Sequence, residues 1–417
     1  MKKSGFIIAS LSIIAIVVFS ITSCSEVNTV GDPHFTADGY FVSDSDSNGL
    51  FNIEQPSKIK YYVEVSGSMN GFFRANQPTS FKKDVWEIMS YFSALPSEVT
   101  VLTNKGDMGA RMSIDAFRQQ MNTGSFISSA STQVPIMLES IVNDIKPENG
   151  EVAILISDMK YSPVGAAAPK VLMEQYSSDI SRTLGNFQKP VCLVGAVSNY
   201  LEKNAVVDES PYYFFIIGNE GAVAYLRNCI STLLDNNGHF VDNIESGFDY
   251  GAPSYSFGIP EFCYQLEDQP TFVDFDESAS DTCIVNLKVD LAKYRWIMSD
   301  TTYFRKAFKC EALYGSNVKM DDVTIEVQNI TSKKLERTAT AIVKLKVFDF
   351  AMDSEIIKWT LELPDTDCQR FGRFMGALSE TDNTKTFSLE GFIGGIFYGG
   401  VTSKSLKDNF ILISKNS

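Results

Sequence analysis

Apolar positions along the chain follow two rhythms. From Lys58 to about Asn236, short β-branched or aromatic runs alternate with stretches of helical period; beyond that point, polar and apolar residues alternate one by one. The first half predicts strands at Ile59–Val65, Glu98–Thr103, Glu151–Ser157, Val191–Val197 and Tyr212–Ile217. Between them lie helical patterns near Phe81–Leu95 (Val85, Ile88, Met89 and Phe92 on one face), Ile114–Met121, Thr132–Ile145, Pro169–Leu184 and Gly221–Leu234. Strand–helix alternation of this kind predicts an α/β fold: a doubly wound, mostly parallel sheet with helices on both faces. In the second half, Thr282–Val289, Asp322–Gln328, Ala339–Phe348 and Glu355–Leu363 predict an antiparallel β-rich, sandwich-like domain, with a helix at Arg370–Leu378. Gly391, Gly395 and Gly399 recur at four-residue spacing within Leu389–Val401. A membrane helix face would need about 20 apolar residues, so these glycines are expected to pack closely inside the protein.

One strand end carries chemistry. Ile59–Val65 breaks into Ser66-Gly67-Ser68, so Glu64, Ser66 and Ser68 stand together at a carboxyl end. Open α/β sheets form their ligand crevice at such ends, and oxygen donors suit a hard cation such as Mg²⁺.

At these residues the sequence resembles a family. Val63-Glu-Val-Ser-Gly-Ser-Met69 is similar to the first metal-binding loop of von Willebrand factor type A domains, usually Asp-x-Ser-x-Ser. The resemblance implies a divalent cation, Mg²⁺ or Mn²⁺, shared by three loops of a domain spanning residues 58–236. It assigns Thr132, at a helix entrance, to the second loop, with Ser129 or Ser131 as alternatives, and Asp158, after a buried strand, to the third. Two positions depart from the family pattern. Glu64 stands where Asp is usual and carries its carboxylate one methylene further, which matters for a metal that demands near-ideal octahedral geometry. Met159 stands where Gly is common. In the family, an acidic group of a partner completes the coordination shell. The expected function is therefore non-enzymatic: binding a protein or other acidic ligand through the metal. The alternatives are a metal-dependent hydrolase of phosphate or acyl esters, with Asp158 or Glu64 as base, and a metal-free structural scaffold.

The amino terminus changes the setting. Lys2 and Lys3 precede an apolar run, Phe6–Ile21, which ends in Thr22-Ser23-Cys24. This reads as a secretory signal over residues 1–23, and its end resembles a bacterial lipobox. That resemblance implies lipidation of Cys24 and a lipid-anchored protein of the cell envelope, sorted to the outer membrane. Residues 24–57 read as a tether ahead of the domains at 58–236 and 237–417. Within it, Asp44, Asp46, Asn48 and Gly49 match the first half of a calcium loop. Position twelve of that loop is Gln55 rather than an acid, so a solvated linker is the plainer reading.

Composition removes some partners. There are 36 Lys and Arg against 51 Asp and Glu, a formal charge of −15, and loss of Lys2 and Lys3 makes it more negative. Nucleic acid and anionic membrane surfaces are poor partners for such a chain. Beyond Cys24 the cysteines are Cys192, Cys229, Cys263, Cys283, Cys310 and Cys368, too sparse for a disulfide scaffold. His34 and His239 are the only histidines, which argues against a histidine-based nucleophilic triad.

Overall fold

The computed structural model describes residues 34–35, 41–42, 51–103, 108–126, 132–162, 169–265, 271–294, 300–329, 335–362, 369–399 and 407–416. Cys24, Asp44, Asp46, Asn48, Ser129, Ser131 and Cys368 lie outside the described residues. β1 (His34–Phe35) and β2 (Phe41–Val42) form a small antiparallel ribbon.

A seven-stranded sheet follows, built from β3 (Lys58–Glu64), β4 (Ser97–Leu102), β5 (Met108–Met112), β6 (Glu151–Ser157), β7 (Val191–Leu201), β8 (Val206–Ile217) and β9 (Phe240–Ser246). Its order is β5-β4-β3-β6-β8-β7-β9. β3 pairs in parallel with β4 and β6, with Val63 beside both Val101 and Ile156. β3, β4, β6 and β7 run one way; β5, β8 and β9 oppose them. The expected α/β class is present, and the doubly wound order holds from β4 through β3 to β6. It departs beyond β6, where β8 rather than β7 is the neighbour, and antiparallel. The cause is the short connection 202–205: parallel strands need a crossover of a dozen or more residues, so β7 and β8 close as a hairpin. The first residues of β8, Val206–Glu209, are largely exposed, and so carry no buried-strand pattern.

Helices cover both faces. Ser80–Tyr91, Ile114–Thr123 and Glu220–Asn236 pack on one side, and Val134–Asp144, Pro169–Phe187 and Leu389–Gly399 on the other. Alternation along β3 divides its side chains between the two cores: Tyr61 enters the first and Tyr62 the second. The helix Leu389–Gly399 returns from the far end of the chain to lie against Pro169–Phe187. A Cβ at Gly395 would fall 2.5 Å from Ile180, and one at Gly399 would fall 2.6 Å from the Ser181 backbone. The four-residue glycine spacing therefore permits helix–helix packing inside the chain. Among the described residues, no helix is long and apolar enough to cross a membrane.

The second half forms two further sheets. β10 (Tyr255–Phe257), β13 (Thr282–Asp290), β16 (Arg337–Phe348) and β15 (Asn317–Asn329) make a four-stranded antiparallel sheet. β11 (Cys263–Gln265), β12 (Phe272–Asp276), β18 (Asn409–Asn416), β17 (Ser354–Leu361) and β14 (Phe308–Ala312) make a five-stranded one. The two meet through buried side chains, with Tyr255 edge-on to Trp359 at 5.2 Å. One pairing, β12 with β18, is parallel, because β18 arrives from the chain's far end rather than through a hairpin. The helix expected over Arg370–Leu378 is limited to Gln369–Gly372. The helix Glu220–Asn236 is buried on its polar face as well: Arg227 pairs with Glu245 and donates to Lys293 O at 3.2 Å, and Asn228 donates to Ala292 O at 3.3 Å.

Candidate metal centre at the carboxyl ends of β3 and β6

β3 leads to β4 on one side and lies beside β6 on the other, so the crevice expected at a topological switch point opens at the ends of β3 and β6. Glu64 closes β3 and Asp158 follows β6. After Glu64 the chain turns through a single 3₁₀ turn, Gly67–Met69, closed by Met69 N–H donating to Ser66 O at 3.1 Å. Apolar anchors hold this turn. Met69 and Phe72 are buried, and the Phe72 ring meets Phe81 and Tyr200 at about 5 Å. Gly71 lies flat against Tyr200, where a Cβ would come within 2.3 Å of the ring; any side chain there would push the loop off β7.

Four of the five expected donors form two directly bonded pairs. The Thr132 hydroxyl donates to Glu64 Oε1 at 2.7 Å. The Ser66 and Ser68 hydroxyls lie 2.8 Å apart. Asp158 comes from the neighbouring strand and is close enough for its charge to act on Glu64. Thr132 is tied to the third loop by a two-bond bridge: its N–H donates to Ser162 O at 3.2 Å, and Ser162 N–H donates to Thr132 O at 3.0 Å. Glu64, Ser66, Thr132 and Asp158 are each no more than 2 % exposed, whereas Ser68 is half-buried and Gly67 exposed. Ser68 is thus the open side of the cluster.

Sequence reasoning missed three members. The Ser157 hydroxyl donates to Glu64 Oε2 and accepts the Met159 N–H at 2.7 Å. A signal existed for it: Ser157 ends β6 as Glu64 ends β3, one step beyond the paired Ile156 and Val63. Lys160 is buried, and its ammonium donates to Glu380 O at 3.2 Å and Asn383 Oδ1 at 2.9 Å. Thr386 donates to Asp158 O at 3.2 Å, and Tyr161 N–H donates to Phe387 O at 3.2 Å. The segment 380–387 therefore covers the loop after β6, and nothing in its local sequence announces that.

Met159 adopts φ +54°. This left-handed conformation is strained for residues other than Gly, which gives a physical reason for the family's preference at this position. Here the side chain is fully buried in the second core, and burial opposes the strain.

The electrostatics concentrate on two acids. Burial, then the Asp158 charge, push the Glu64 carboxyl up to about 7, while the Ser157, Ser66 and Thr132 hydroxyls pull it back. Burial also raises Asp158, opposed by the Lys160 charge, the Ser68 hydroxyl and the Lys160 N–H, which donates to Oδ1 at 3.2 Å. Asp158 Oδ2 is buried without a hydrogen-bond partner among the described residues. Such an atom normally has one. The donor set fits a divalent cation on chemistry: every donor is a hard oxygen, two are acids short of positive charge, and one oxygen is orphaned. Ser66, Ser68 and Asp158 are the residues that would hold such an ion. Glu64 and Thr132 first have to share the hydrogen bond between them. Among the described residues, no three His, Cys, Asp or Glu side chains gather as a metal-holding group; hydroxyls supply most of this cluster. His239 is elsewhere, its Nδ1 2.7 Å from Asp84.

Compared with models of protein families and with curated proteins, the chain matches none.

Proposed function

We propose that the crevice at β3 and β6 is a divalent-cation site through which the protein binds an acidic group of a protein ligand. Ser66, Ser68 and Asp158 hold Mg²⁺ or Mn²⁺, with Thr132 and Glu64 completing the ring of oxygens. The observation that carries this reading is the buried, unpartnered Asp158 Oδ2 beside a second buried acid. The ion supplies the positive charge that two adjacent carboxylates lack, and the half-buried Ser68 edge is where a ligand's carboxylate reaches it. Lipidation at Cys24 would hold this module in the cell envelope, at the outer membrane, as a non-enzymatic binding protein.

A metal-free scaffold is the second reading, and one observation favours it. Both Glu64 oxygens already accept hydroxyl hydrogen bonds, from Thr132 and Ser157. A pull-down from envelope extracts, with and without chelator, separates the two. Under the metal reading, wild type captures a partner only with Mg²⁺ or Mn²⁺, and Asp158→Ala captures none. Capture that is unchanged by chelator and by Asp158→Ala sinks the metal reading. For the anchor, Cys24→Ala should abolish fatty-acid labelling; a variant still labelled and processed at the same site removes it.

A further inference from the structure

A second surface of the α/β half has chemistry that the cation site does not use. Between the helices Ser80–Tyr91 and Ile114–Thr123 lies an open pocket of about 390 Å³, lined by Lys82, Lys83, Trp86, Arg118 and Met121 together with Asn, Gln, Pro and Thr residues. That volume is within the range of small-molecule sites. None of the described lining residues is acidic, although acids outnumber bases by 51 to 36 in the chain.

We propose that this pocket binds a small anionic ligand: a sugar or similar ring bearing a carboxylate or a phosphate. The charge comes first from Lys82. It is only 7 % exposed, and its ammonium donates to two neutral carbonyls, Arg74 O at 2.6 Å and Gln77 O at 3.1 Å. No carboxylate pairs with it among the described residues. An ammonium has three donors, so one is left for a ligand. Burial holds Lys82 below the usual lysine range, and an anion beside it would restore the charged form. Arg118 supplies the second cation. Its guanidinium carbon stands 3.9 Å from the Trp86 ring centroid, a stacked arrangement that fixes the head group while leaving its N–H edge for an anion. Lys83 supplies a third from the rim, loosely held at 3.1 Å by Asn237 and 3.9 Å by Glu87. The half-buried Trp86 offers apolar surface to the body of a ring.

The pocket is preformed rather than dependent on closure. Asn76 N–H donates to Asn122 O at 3.0 Å, joining the loop before one helix to the end of the other. Gly124 (φ +64°) caps the second helix against Phe73 O and Ala75, where a Cβ would fall 2.9–3.1 Å from its neighbours. Its cations belong to the protein, so binding here requires no metal.

The test uses the mature full-length protein in chelator, with glucuronate, glucose 6-phosphate, inorganic phosphate and glucose as probes. Binding is followed by calorimetry and by Trp fluorescence. At least one charged probe should bind saturably and about tenfold or more tightly than glucose, and weaken with added salt. The carboxylate and phosphate arms show which anion is preferred. Arg118→Gln and Lys83→Gln, both at exposed positions, should each weaken binding about five- to tenfold, and Trp86→Phe should remove the fluorescence change. Lys82→Met should abolish binding, but that variant is interpreted only if it melts cooperatively. Glucose binding as tightly as the charged probes, no saturable binding at millimolar concentrations, or unchanged affinity in the Arg118→Gln, Lys83→Gln double variant each overturns the proposal. Because chelator is present throughout, these outcomes are independent of the cation reading.

Discussion

Two regions bury acids and treat them in opposite ways. Beneath the helix Glu220–Asn236, Glu245 is met by the fully buried Arg227 guanidinium and by the Tyr250 hydroxyl. Burial acts to lower the Arg227 pKa, but the Glu245 charge and hydrogen bond, with the neighbouring Tyr250 and Cys192, together outweigh it and leave Arg227 firmly cationic. At the ends of β3 and β6, Glu64 and Asp158 meet hydroxyls and one another. The nearby Lys160 directs its ammonium to Glu380 O and Asn383 instead. A purely structural acid elsewhere, Glu355, is fully buried yet accepts three backbone N–H bonds at 2.7–2.9 Å. The molecule thus neutralises or saturates buried carboxylates where they only hold the fold together. Leaving two together with an orphaned oxygen is the exception, and such exceptions cluster at functional sites, which supports the proposed ligand site.

The largest expected effect breaks the neutral region. Arg227→Met leaves Glu245 buried without its cation and should cost about 3–5 kcal/mol in chemical denaturation. Asp158→Asn, in chelator, should cause no loss of stability, because it removes one of two like charges. Comparable losses from both substitutions would erase the contrast between the regions.

The next effect is pH dependence in the metal-free protein. Glu64 has its folded pKa raised from 4.5 to about 7, so the folded state binds its proton more tightly than the unfolded one. Its stabilisation is complete below about pH 4 and is lost as pH rises through about 7, a swing of roughly 3 kcal/mol. Glu64→Gln should flatten that slope in melts across the range. An undiminished slope in the variant assigns the titration to another group.

Met159→Gly sharpens the picture inside the site. It relieves a left-handed φ worth about 1 kcal/mol or a little more but deletes a fully buried side chain worth about 2–5. A net destabilisation of about 1–3 kcal/mol is expected. A stabilised variant would mean that the strain outweighs the packing.

The strands β3, β4 and β6 and, Leu389–Gly399 apart, the helices on the two faces were legible because each is a buried run or a strong periodic face. β5 was not: Met-Gly-Ala-Arg-Met is an edge strand with three exposed residues and no alternation. β8 was legible only from Tyr212, where its apolar run begins. The return of Leu389–Gly399 onto Pro169–Phe187 depends on contacts over 200 residues apart; the glycine spacing announced close packing without naming the partner helix. In the site, Glu64, Ser66, Ser68 and Asp158 were legible as polar residues ending apolar runs. Ser157 was legible in principle from register, but Lys160 and Thr386 act through a segment whose position only the tertiary fold determines.

The smallest perturbation to the fold gives the most direct test of the central claim. Calorimetric titration of Mn²⁺ and Mg²⁺ into wild type, Glu64→Asp, Ser68→Ala and Asp158→Ala, each paired with a melt, reads the ion itself. Saturable binding to wild type or Glu64→Asp is expected, with a gain of about 2.7 kcal/mol at a hundredfold excess over Kd. Ser68→Ala and Asp158→Ala should lose most of that gain while melting normally in chelator. No heat and no melting shift with either ion, in wild type and in Glu64→Asp alike, would contradict it and leave the hydroxyl-bonded Glu64 as part of a metal-free scaffold.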